Sequence, residues 1–87
     1  MSHDENHSDL VIAKIVRMAN QIGTYFESEP DRTVASAGIA DHLARFWEKR
    51  MRLSLYAYLD SAQNSTLAPL VSEALTQHRD QVLGKIQ

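Results

Sequence analysis

Apolar residues recur at spacings of three and four along most of this chain. Ile12, Ile15, Ala19, Ile22 and Phe26 fall on one helical face, widened by Val16 and Met18. Lys14, Arg17 and Gln21 fall largely on the other side. The pattern predicts a helix over residues 9–26, capped by Ser8 or Asp9. Gly23 weakens its last turn by up to ~1 kcal/mol, and Pro30 ends it by disfavouring helical geometry at Glu29. A second stripe starts behind a cap at Thr33 and carries Val34, Ala37, Ala40, Leu43 and Trp47. It continues in phase through Met51, Leu55, Tyr58 and Ala62, so local periodicity allows one helix over 33–61. That length is well above the usual mean of about 11–12 residues. A polar loop over 60–65 follows. Leu67, Leu70, Val71, Ala74, Leu75, Val82 and Ile86 then line a last helix, capped by Ser65 or Thr66, with Pro69 in its first turn and Gly84 near its end.

Residues 1–8 are polar and show no periodicity, which predicts a disordered N-terminal tail before a single helical domain over 9–87. No segment alternates as a strand would, and there is no internal repeat or low-complexity segment. The expected fold is all-α, a small compact bundle of three to four antiparallel helices. Its core centres on Ile15, Ala19, Ile22, Leu43, Trp47, Leu55, Leu70 and Leu75.

Composition narrows the function classes. The 87 residues fit one domain with a small core. Apolar residues make up 44%, which is ordinary for a globular chain. With 9 basic and 11 acidic residues the net charge is −2, without the basic excess of a dedicated nucleic-acid binder. Cysteine is absent, which excludes disulfides, thiolate nucleophiles and Cys-ligated metal centres. The longest early apolar run, Leu10 to Ala13, is far short of the ~20 residues that span a bilayer. No basic segment precedes it as in a signal peptide. A soluble, cytoplasmic protein is expected.

Candidate chemistry is sparse. His3, Asp4, Glu5 and His7 are metal-ligand types, but they sit in the terminal segment without outer-sphere support, and a solvated tail is the expectation. Asp41 and His42 are adjacent, so on a helix they point about 100° apart and form no dyad by themselves. His78 has no stronger case. Tyr25, Tyr56 and Tyr58 read as core-edge residues whose hydroxyls reach water. The unusual segment is residues 45–52, in which Arg45, Lys49, Arg50 and Arg52 surround Phe46 and Trp47. It fits a solvated helical face, a docking patch for an acidic protein surface, an anionic-ligand site or a DNA-recognition helix. Enrichment of Arg and Trp at interface hot spots favours docking among the functional readings.

Ordered blocks now assemble into a resemblance. Residues 17–22 (Arg-Met-Ala-Asn-Gln-Ile) precede the aromatic Phe26. Residues 38–43 (Gly-Ile-Ala-Asp-His-Leu) precede Arg45-Phe46-Trp47 and Arg50-Met51-Arg52, and residues 67–75 (Leu-Ala-Pro-Leu-Val-Ser-Glu-Ala-Leu) follow. Over roughly residues 15–75 the chain resembles the delta subunit family of soluble NAD-dependent formate dehydrogenase, FdsD. The resemblance implies a non-catalytic accessory subunit without a cofactor of its own. Its partners would be large subunits of formate dehydrogenase, or of a related molybdenum oxidoreductase, whose assembly, maturation or stability it supports. A small DNA-binding or regulatory module using residues 45–52 is the competing reading. Partner contacts are expected at Asn20, Gln21, His42, Arg45, Trp47, Lys49, Arg50 and Arg52, with no catalytic or metal-binding residue. Self-association stays open.

The family pattern after the aromatic pair is Asp-Pro, a helix cap followed by a first helical residue. Here Glu48 and Lys49 occupy those positions. The resemblance therefore implies an interruption near 47–49, giving helices over about 9–26, 33–47, 49–61 and 66–83.

Overall fold

The computed structural model describes the backbone of residues 3–61 and 66–84, with side chains from Leu10 onward. Helix α1 spans His3–Phe26. It begins earlier than the cap expected at Ser8 or Asp9. No glycine or proline lies between His3 and Ile22, and extending a formed helix gains one hydrogen bond per residue fixed. The candidate ligands His3, Asp4, Glu5 and His7 fall where side chains lie outside the described residues.

Helix α2 spans Arg32–Phe46. Its cap is Asp31, not Thr33: the Asp31 carboxylate accepts from the Thr33 amide at 2.9 Å and the Val34 amide at 3.4 Å. That satisfies two of the amides a helix start leaves unpaired. Its buried face is also turned from the expected one. Ala35, Ser36, Ile39, Ala40 and Leu43 are buried, whereas Val34 is 52% exposed. Ser36 lies on that buried face, and its hydroxyl donates to the Gln77 side-chain oxygen at 3.3 Å.

The long stripe is broken into two helices. After Phe46, Trp47 and Glu48 take extended backbone, and helix α3 spans Lys49–Leu59. This is the interruption that the resemblance implies at 47–49. Ala62 and the capping candidate Ser65 lie outside the described residues.

The expected last helix over 66–83 is two helices. Helix α4 spans Pro69–Gln77 and helix α5 spans Arg79–Leu83, separated at His78, whose ψ is 34°. Pro69 is the first residue of α4, where its missing N–H costs nothing. Gly84 ends α5 at φ +82°, a value that disfavours any side chain. Ile86 lies outside the described residues.

Helix α2 lies against α4 and α5, and α1 bridges α3, α2 and α4. Among the described residues there is no strand, and the fold is all-α as expected. Seven of the eight expected core residues are buried, and Ile22 is half-buried against that core. Gly23 has a packing role beyond weakening its helix: a Cβ there would lie 2.6 Å from Val71 Cγ2, so its absence lets α1 and α4 approach.

Candidate functional site

The basic segment wraps the elbow between α2 and α3, and its residues have separate fates. Arg45 sits one turn beyond Asp41 on α2, and Nε donates to Asp41 Oδ1 at 3.0 Å. Both side chains are mostly exposed, so the pair contributes only ~0.3–0.5 kcal/mol. His42 tilts against the Phe46 ring with centroids 5.0 Å apart. Asp41 and His42 are thus committed to different neighbours, as their angular separation on the helix requires.

Trp47 is 8% exposed and packs into the core. Its amide still donates to the Leu43 carbonyl at 3.1 Å, closing α2. Its own carbonyl accepts from Arg52 Nε at 3.0 Å. The same guanidinium donates through Nη1 to the Val82 carbonyl at 2.5 Å. Arg52 therefore ties the elbow to the end of α5, and Trp47 anchors it from inside. Neither is a free surface contact.

Lys49 and Arg50 are different. Both are exposed, and neither forms an ion pair among the described residues. The cap residue Glu48 makes no side-chain capping bond, and no acidic residue stands in the first turn of α3. Sequence reasoning missed Leu53, 49% exposed one turn beyond these cations on α3, while Phe46, within the basic segment at the end of α2, is 70% exposed. Leu53 falls outside the Met51–Leu55–Tyr58 stripe, which was the available signal.

On the other side, Asn20 is spent on the fold. Its Nδ2 donates to the Thr66 carbonyl at 2.9 Å and its Oδ1 accepts from the Ala68 amide at 2.8 Å. It thereby fixes the chain entering α4. The Tyr58 hydroxyl is hydrogen-bonded to Thr66 Oγ1. Gln21 is exposed and, with Arg17, Thr24 and Ala57, lines an open groove of about 790 Å³ beside α1.

A second polar cluster joins α3 to α4 and α5. Tyr56 is buried rather than at the core edge, and its hydroxyl donates to the Leu75 carbonyl at 2.7 Å. The Arg79 guanidinium lies 4.8 Å from the ring centroid and pairs with Asp60 at 2.6 Å. Burial pushes the Tyr56 pKa up to about 12, against a smaller lowering by Arg79. The hydrogen bond from Arg79 holds the Asp60 carboxyl below the usual carboxylate range.

These arrangements define a small helical module whose chemistry-bearing side chains either lock the elbow and helix ends or face solvent. Among the described residues no cluster of three or more metal-ligating side chains occurs. No helix among them is long and apolar enough to cross a membrane. The chain matches the family described as NADH-dependent formate dehydrogenase delta subunit FdsD over residues 14–75. It belongs to that family. Comparison with curated proteins and with solved structures gave no match.

Proposed function

We propose that this protein is a non-catalytic delta subunit that supports assembly, maturation or stability of a molybdenum-containing, NAD-dependent formate dehydrogenase through protein–protein contacts. Membership of the delta subunit family over residues 14–75 carries the reading. The geometry is consistent with it, because Asp41 and His42, the best acid–base candidates, are engaged by Arg45 and Phe46 instead of each other. The partners would be the large catalytic subunits, in the cytoplasm, and the chain would bring no cofactor of its own. Of the expected contacts, Gln21, His42, Arg45, Lys49 and Arg50 are available at or near the surface, while Asn20, Trp47 and Arg52 position the elements that present them.

The test is deletion of this chain from cells that make the enzyme. Formate oxidation and the molybdenum content of the large subunits should fall, and re-expression should restore both. Full activity and full cofactor content without the chain would overturn the reading.

A further inference from the structure

Helix α3 has a sharply divided surface. Leu55 and Tyr56 are buried, and Met51, Arg52, Tyr58 and Leu59 are half-buried around them. The exposed positions Lys49, Arg50, Leu53 and Ala57 share an arc of about 100°. A solvent arc needs no leucine, yet Leu53 stands there with about half its surface in water. It lies one turn beyond Lys49 and Arg50, and Phe46, 70% exposed, precedes the helix. The charged groups around it do not neutralise the two cations. Glu48 makes no ion pair among the described residues, and Asp60, at the far end of the arc, is held by Arg79. Three cations, Lys49, Arg50 and Arg52, also stand in the first turn, at the positive end of the helix dipole.

We propose that Lys49, Arg50 and Leu53, continued by Ala57, form a docking surface for an amphipathic, acidic segment of a large formate dehydrogenase subunit; this rests on the delta-subunit reading. The complementary segment carries carboxylates opposite Lys49 and Arg50 and an apolar side chain against Leu53. Charge complementarity selects an acidic partner, and the exposed apolar residues select a protein rather than a phosphate backbone. The net charge of −2 opposes nucleic acid as the occupant.

The test co-expresses the tagged full chain with the large subunits and measures capture on the tag. The variants are Leu53→Asp, the milder Leu53→Ser, and Lys49→Glu with Arg50→Glu. Val34→Asp serves as control on the exposed side of α2. All should melt as the wild type does. The α3 variants should lose capture by about tenfold or more, while Val34→Asp retains it. Wild-type capture should weaken in about 0.5 M NaCl, where screening acts within ~4 Å. Failure of the wild type to capture the large subunits overturns the delta-subunit reading and this surface with it. Capture by the wild type and equally by the α3 variants overturns this surface alone. The surface is also overturned if the α3 variants retain capture but lose self-association or duplex DNA binding, which would assign the arc to a second copy or to nucleic acid.

Discussion

Arg52 is the residue whose role changed most between sequence and structure. By type and position it belongs with Lys49 and Arg50 in a basic patch. Its guanidinium instead spans two main-chain carbonyls, Trp47 at the elbow and Val82 in α5. Carbonyls near helix ends lack partners within the helix, and a charged donor supplies them. Arg52→Ala should therefore cost about 1.5–3 kcal/mol in urea unfolding, the range for hydrogen bonds to charged groups. Arg52→Lys should recover less than half, because an ammonium cannot reproduce the planar fork. An Arg52→Ala protein as stable as the wild type would return the residue to the docking surface. Tyr56 gives a second residue-scale outcome. Its folded pKa is raised to about 12 from 10.0, so the neutral phenol is the form that the fold favours. This stabilisation is complete below pH ~10 and is lost as pH rises towards about 12, by ~2–3 kcal/mol at the upper end. Tyr56→Phe should flatten that part of the stability–pH curve while costing about 1 kcal/mol at neutral pH for the lost bond to Leu75. An unchanged alkaline profile in the phenylalanine variant would show that another group titrates there.

At the scale of elements, the elbow shows what a sequence can and cannot disclose. Helix existence was legible, since the spacings that predicted α1, α2 and α3 reflect real faces at Ile15–Ala19, Leu43–Trp47 and Leu55. The break at 47–48 was not legible from periodicity, because Leu43, Trp47 and Met51 stay in phase straight through it. It became visible only through the resemblance. Its physical cause is tertiary: extended backbone at Trp47 and Glu48 carries the indole into the core, and Arg52 reaches back to hold the turn. The split at His78 leaves no mark in the pattern either, because Leu75 and Val82 stand seven residues apart, in helical phase, across it. The face of α2 is turned because Ser36 is buried, bonded to Gln77 of α4. Glu48 has φ −62° and ψ 149°, which suits the residue before a proline, and Lys49 is the first residue of α3. Lys49→Pro should thus add about 0.5–1 kcal/mol by restricting the unfolded chain. Glu48→Asp should add up to ~1 kcal/mol by supplying the missing cap bond. Thermal melts should place the double variant several degrees above the wild type. A lower melting temperature would mean that the cap geometry is not that of an open helix start.

For the whole molecule, the site residues were less legible than the core, because sequence marks a cation but not what the fold does with it. Arg45, Lys49, Arg50 and Arg52 look alike in the chain, yet one is paired, two are free among the described residues and one is structural. Stability and docking should accordingly rest on different forces. The three ion pairs among the described residues, Arg32–Glu73, Arg45–Asp41 and Arg79–Asp60, have side chains 31–68% exposed. Exposed pairs contribute about 0–1 kcal/mol each and are screened by salt. The core instead holds fully buried Ile39, Leu43, Leu55, Leu75, Val71 and Val82. Total stability for a chain of this length is about 4–13 kcal/mol, and Leu43→Ala alone should remove ~2–5 kcal/mol of it. Calorimetry should show that loss as a fall of more than about 10 °C in melting temperature. Raising NaCl to about 1 M, where the Debye length is ~3 Å, should move the wild-type melting temperature by far less. A salt shift as large as that of Leu43→Ala would mean that surface charge, not the packed interior, holds the helices together. Salt sensitivity confined to partner capture would assign the free cations of α3 to recognition and leave folding to the core.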